Sequence, residues 1–243
     1  MNKHFPTYSI FEKLRNLLRT RGIRLTLKLS LVKVFLPLYS WSRRNETFSF
    51  EGKSFHYFFG RYNSTWDNER CVEIAIFMPH LTEHLKKGDK VLEVGNVLKW
   101  YFDGDGTWEI IDKFEKSPGV INEDVIGFTP KLKPNLILSV STMEHVGYDD
   151  DIKNPKRAFS AIKHLKSILS PGGLFIFTVP LGYNKDFDKN IFLNTYKLSK
   201  VRYLKKISGS KWEQVDKAAV HNIRYDYPYS AANGLAICYV QKK

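Results

Sequence analysis

Cysteine is scarce: Cys71 and Cys238 are the only two in 243 residues. Two thiols exclude a disulfide framework and a cysteine-rich metal cluster, and they fit a reducing, cytoplasmic setting. Long apolar runs are lacking too. The richest stretch, GIRLTLKLSLVKVFLPLYSW (residues 22–41), is broken by Arg24, Lys28 and Lys33, which excludes a membrane-spanning helix. No long apolar core precedes a small-residue cleavage site, so the start does not read as a secretory signal. Acid is nearly absent from the N-terminus. Residues 1–44 hold ten Lys or Arg against Glu12 alone, and so carry nine of the thirteen net positive charges. Glycine is sparse where a nucleotide loop would need it: KVLEVGNVLKWYF (residues 90–102) has only Gly95. That excludes the dense backbone cradle of a phosphate loop.

What is present is a large core. Hydrophobic residues make up 43% and aromatics 14%, enough for one sizeable domain with an extension and too much for disorder. The charge shift near residue 45 divides a basic amphipathic extension, 1–45, from a main domain, 46–243. Two readings fit the extension: a helical cap with a solvated basic face, or a peripheral contact with an anionic membrane surface at the inner face of the membrane. Nucleic acid fits less well, because aromatics are not interleaved with the basic residues. Ser9 and Glu12 form a capping box for a helix over 8–21, closed at Gly22. Residues 47–59 alternate around Glu51-Gly52 and predict a hairpin. Asn68 caps a helix that starts near Glu69, is interrupted at Pro79 and ends by Gly88.

Beyond Lys90 the pattern becomes short apolar runs separated by helices: KVLEV, WEIID, LILSV (136–140) and LFIFTVP (174–180), then a final strand in YPYSAANGLAICYVQ. The segment NPKRAFSAIKHLKSILSPGG reads as a helix capped by Asn154 with Pro155 at its first position. This alternation predicts an α/β fold whose parallel sheet is covered on both faces, with ligands at the carboxyl ends of the strands. The polar residues there are the candidates. Glu93, Gly95 and Asn96 follow the first strand. Asp112, 17 residues beyond Gly95, ends the second and is followed by Lys113; a carboxylate there can accept from both hydroxyls of a ribose. Asp124 stands between the second strand and the next. Ser141, Met143, Glu144 and His145 follow LILSV and face the cleft.

In order and spacing, VLEVGN, EIID, NEDV, LILSVSTMEHV, LKSILSPGGLFIFTVP and NGLAICYVQK resemble the class I S-adenosylmethionine-dependent methyltransferases over roughly residues 60–241. The resemblance implies a doubly wound, Rossmann-like sheet of seven strands with an antiparallel last strand. It also implies S-adenosylmethionine as cofactor, with Glu93, Gly95 and Asn96 at its methionine end and Asp112 and Lys113 at the ribose. Asp124 and Val125 would lie at the adenine, and Ser141 and Met143 on the floor. Asn63, Trp66, Asn68 and Arg70 would close the site over a small-molecule, glycan or lipid-linked acceptor. His145 is the base by type and position, with O-methylation favoured. Relatives that bind a metal place an acid three residues before the Glu-His pair. Ser141 stands there instead, so no metal is expected. Two other classes are carried: a methyltransferase-like scaffold without activity, motivated by the glycine-poor loop, and a short-chain oxidoreductase, suggested by Tyr196-x-x-x-Lys200 but lacking its glycine-rich loop.

Overall fold

The computed structural model describes residues 38–60, 62, 65–66, 68–102 and 108–243. The helix expected over 8–21, the rest of the basic extension up to residue 37, and Asn63 lie outside them. The chain divides into compact units at 1–46 and 47–243. Of the first, residues 38–46 are described, and in it Arg43 pairs with Glu46. No helix among the described residues is long and apolar enough to cross a membrane.

The second unit opens with the expected hairpin. β1 (Thr47–Phe50) pairs antiparallel with β2 (Lys53–His56), and Glu51 and Gly52 take the positive φ the tight turn requires. Helix α1 (Arg70–Lys86) follows. Asn68 serves its start, its Oδ1 accepting from the Arg70 N–H at 3.1 Å. The helix runs through Pro79, against the interruption expected there. Pro79 sits on the exposed side while Phe77 and Leu81 on either side of it are fully buried, so packing outweighs the one missing hydrogen bond.

The main sheet is built from β3 (Val91–Val94), β4 (Glu109–Ile111), β5 (Val120–Ile121), β6 (Leu136–Ser139), β7 (Leu174–Pro180), β8 (Lys200–Ser208), β9 (Lys211–Val215) and β10 (Gly234–Gln241). Helix α2 (Lys156–Ile168) links β6 to β7, and α3 (Lys185–Phe192) follows β7. In space the strands run β5-β4-β3-β6-β7-β10-β8-β9. The first five are mutually parallel, and β10 runs antiparallel between β7 and β8. These are the seven expected strands; β9 adds an eighth, antiparallel, at the edge. Strand order reverses between β3 and β6, which places the ligand crevice at their carboxyl ends.

Alternation sorts the sheet's side chains into two cores. Leu92, Val94, Ile137, Phe175 and Phe177 pack with Ala161, Ile162 and Leu165 of α2. Val91, Leu136, Leu138 and Ile176 pack with Val72, Phe77 and Leu81 of α1 and with Phe48 and Phe50 of β1. Each fully buried side chain of this size contributes roughly 1.5–3 kcal/mol. The two cysteines are buried thiols, one in each core.

Candidate active site

The loop after β3 shows how a single glycine suffices. Gly95 has φ +87°, and its N–H donates to the Ile111 carbonyl at 2.8 Å, tying the ends of β3 and β4. A Cβ there would stand 2.3 Å from Thr142 Oγ1, so no side chain fits. The rest of the loop is held by the acid two residues before Gly95. Glu93 is fully buried; its Oε1 accepts from the Val97 and Leu98 N–H groups at 2.7 and 2.5 Å, and its Oε2 from Trp108 Nε1 at 2.9 Å. Those bonds fold the loop into a 3-10 turn over Leu98–Trp100. Burial pushes the Glu93 carboxyl up to about 7, against the hydrogen bonds that favour its charge. Asn96 beside it donates to Glu115 Oε1 at 2.7 Å, while its buried Oδ1 has no partner among the described residues.

At the end of β4, Asp112 Oδ1 accepts from the Phe114 and Glu115 N–H groups at 2.8 and 2.7 Å. Its Oδ2 carries no hydrogen bond among the described residues. Lys113 reaches Asp150 at 2.9 Å and Asp124 at 3.5 Å. Arg157, on the first turn of α2, pairs with Asp124 and lies 3.2 Å from Asp150. With its Oδ1 accepting from Ile126 N–H at 3.0 Å, Asp124 has both oxygens engaged.

The segment after β6 forms the opposite wall. Ser141 takes φ +42°, a strain of roughly 1 kcal/mol for a residue with a side chain. Offsetting it, its N–H donates to Thr178 Oγ1 at 3.0 Å and its hydroxyl to Glu73 Oε1 at 2.5 Å. Glu73, buried on α1, also accepts from Thr178 at 2.5 Å and pairs with Arg70. A 3-10 turn, Met143–His145, follows. Met143 is fully buried in the core. Glu144 is fully buried, and neither of its carboxylate oxygens has a hydrogen-bond partner among the described residues; burial pushes that carboxyl well above the usual range. His145 is half-exposed, with Nδ1 2.5 Å from Asp149 Oδ2.

Between these walls lies an open cleft. It brings together Gly95, Asp112, Lys113, Asp124, Val125 and His145 from the expected set. Glu93, Asn96, Ser141 and Met143 stand behind its lining. Asn68 and Arg70 belong to the start of α1, and Trp66 is buried just ahead of it. Thr142, Asp150 and Arg157 line the cleft without having been expected. For Arg157 a signal was present, since a first-turn residue just after Asn154-Pro155 faces the carboxyl end of the sheet. Tyr196 packs in the core against Phe187, and Lys200 pairs with Glu51; neither lines the cleft, which removes the support for an oxidoreductase.

No family model matches the chain, and no curated protein does. Among solved structures it is similar to the N-methyltransferase NodS of Bradyrhizobium japonicum WM9 in complex with S-adenosyl-L-homocysteine, at 9% identity over 70% of this chain and 87% of that one, with a TM-score of 0.43. It is also similar to a SAM-dependent methyltransferase from Archaeoglobus fulgidus, at 14% identity over 70% of this chain and 94% of that one, with a TM-score of 0.40. Values this low leave the site to its own residues. The parallel strands, the antiparallel β10 set between β7 and β8, and the crevice where strand order reverses make up the doubly wound, Rossmann-like α/β sheet that the ordered motifs implied.

Proposed function

We propose that the chain is an S-adenosylmethionine-dependent methyltransferase acting on a hydroxyl of a small-molecule, glycan or lipid-linked acceptor. The observation that carries this reading is the cleft itself, which joins a side-chain-free approach at Gly95, a spare carboxylate oxygen on Asp112 and the imidazole of His145. The residues fit the cofactor. Gly95 lines the cleft with backbone alone, since Thr142 stands where its Cβ would go, and behind it Asn96 Oδ1 is a buried acceptor without a partner among the described residues. Asp112 keeps Oδ2 for a ribose hydroxyl while Oδ1 secures its own turn. Val125, Ile111 and Val146 supply apolar contact for a base.

Bound S-adenosylmethionine supplies a methyl group already activated by its sulfonium. The chain's own tasks are therefore to align the acceptor and to receive a proton. His145 is the proton acceptor on the cleft wall. Titration calorimetry with S-adenosylmethionine tests the reading: saturable binding is expected, and no heat at millimolar cofactor would overturn it. Residues 1–44, with their excess of Lys and Arg, support a second proposal, contact with an anionic membrane surface. Liposome flotation of the full chain and of a form lacking residues 1–44 checks it; equal flotation would reject it.

A further inference from the structure

His145, Asp149 and Tyr183 come from two separate stretches and meet beside the cleft, which His145 lines. His145 Nδ1 lies 2.5 Å from Asp149 Oδ2. Tyr183, in the loop after β7, directs its hydroxyl at the same carboxylate, 3.3 Å from Oδ1 and 3.2 Å from Oδ2. The tyrosine ring lies 4.8 Å from the imidazole, and Tyr148 and Tyr225 pack edge-on against it at 5.7 and 5.5 Å. On the far side of the imidazole, Nε2 is 3.5 Å from Glu144 Oε1, without a hydrogen bond between them. Of the other charged groups along the cleft, Glu123 makes no side-chain hydrogen bond or ion pair among the described residues and Asp112 keeps Oδ2 unbonded, while the rest are engaged elsewhere. Lys113 and Arg157 bind Asp124 and Asp150, and Asp112 holds its own turn.

Resting on the methyltransferase reading above, we infer that Asp149 and Tyr183 are positioning residues that hold His145 in its Nδ1–H tautomer, leaving Nε2 to take the proton of a hydroxyl acceptor. An ionised carboxylate only accepts hydrogen bonds, so the ring nitrogen facing it carries the hydrogen. The Tyr183 hydroxyl donates to that carboxylate from another direction and fixes it in place. Burial, then Asp149, pushes the Tyr183 phenol up to about 12, so it remains a donor throughout the working range. In the proton step the acceptor's O–H bond breaks, the proton goes to Nε2 and the electron pair stays on the acceptor oxygen. The resulting imidazolium is stabilised by Asp149. Such a device suits a hydroxyl, whose proton must leave, better than a neutral amine, whose lone pair is already available.

Nitrogen-15 NMR of the full chain labelled at histidine reads the tautomer directly, with the His145→Gln spectrum identifying the signal among the seven histidines. At about pH 8 we expect Nδ1 protonated and Nε2 bare in the wild type. Asp149→Ala should shift the ring toward the Nε2–H form, and Tyr183→Phe should move it part of the way. A wild-type ring in the Nε2–H form, or an Asp149→Ala spectrum with the ring unchanged, overturns the inference. A Tyr183→Phe spectrum identical to wild type removes Tyr183 from it. Calorimetry with S-adenosylmethionine on the same samples separates the two levels. Binding with the wrong tautomer sinks this inference alone, whereas no binding by the wild type sinks the functional reading beneath it.

Discussion

Two acids stand behind the lining of the cleft, one in β3 and one in the turn after β6, and they meet opposite fates. Glu93 near the end of β3 and Glu144 after β6 are both fully buried. Glu93 accepts from two backbone N–H groups and an indole; Glu144 accepts from no group among the described residues. Burial raises both carboxyls, Glu93 to about 7 and Glu144 well above its ordinary value. The difference separates two uses of a buried acid. Glu93 organises the loop, because three donors converge on it. Glu144 has no structural return for its burial, and it stands 3.5 Å from the imidazole assigned the proton step. Buried polar groups without partners call for an explanation, and proximity to His145 is the one this fold offers.

The comparison breaks most visibly at Glu93. Glu93→Ala leaves the N–H groups of Val97 and Leu98 and of the Trp108 indole unpaired, at about 1–3 kcal/mol for each one that stays buried. We expect a loss of about 4 kcal/mol, or roughly 10 °C in Tm for a chain of this size, measured by thermal or urea unfolding. A loss under about 1 kcal/mol would mean that Glu93 does not organise the loop. Next comes Gly95→Ala, which meets both a positive φ and the Thr142 side chain. It should cost about 2–3 kcal/mol and weaken S-adenosylmethionine binding at least tenfold. Adding Thr142→Ala removes the two nearest atoms, at 2.3 and 2.9 Å, and should restore part of the stability. No recovery would place the whole penalty in the backbone.

How far the sequence reveals this depends on which physical variable is asked about. Strand identity and order were legible, because β3, β6 and β7 are buried on both faces and read as unbroken apolar runs. The facing of a side chain was less so. Glu93 ends up behind the cleft because it shares parity with Val91, pointing to the α1 side, while Val94 lines the cleft. That parity was available from the residues, yet the motif alone marks only the strand end. Ser141 turns beneath the floor through a left-handed backbone and a bond to Glu73, 68 residues earlier; nothing local announces either. The pairing of Asp149 with His145 has helical i, i+4 spacing, but its bond to Tyr183 requires the fold. Edge strand β9, KWEQV, alternates too briefly to stand out among the surrounding lysines.

Asp112 gives a sharper, smaller test of the wall that Glu93 supports. Asp112→Asn keeps an oxygen for the Phe114 and Glu115 N–H groups, so folding should be unaffected. Only the charge offered to the ribose is lost, at about 1.5 kcal/mol, a weakening of S-adenosylmethionine binding of about tenfold. Unchanged affinity by calorimetry would remove Asp112 from the ribose site and leave it a turn residue.

The smallest effect, and the one with an unusual sign, belongs to Glu144. A carboxyl whose folded value is raised keeps its proton more tightly in the folded state than in the unfolded one, where it ionises near 4.3. Its presence therefore leaves stability untouched in acid and lowers it as pH rises from that value toward the folded one. Glu93 does the same over a window that closes near 7. Glu144→Gln is neutral at every pH and of nearly the same shape. Urea unfolding at about pH 5 and pH 8.5 should show a smaller drop in stability for this variant than for the wild type. The gain in stability should be accompanied by altered proton handling at His145, because the amide sits where the neutral acid sat. A Glu144→Gln chain whose stability falls with pH as steeply as the wild type's would show that Glu144 already ionises freely in the fold, and its contrast with Glu93 would then be one of hydrogen bonding alone.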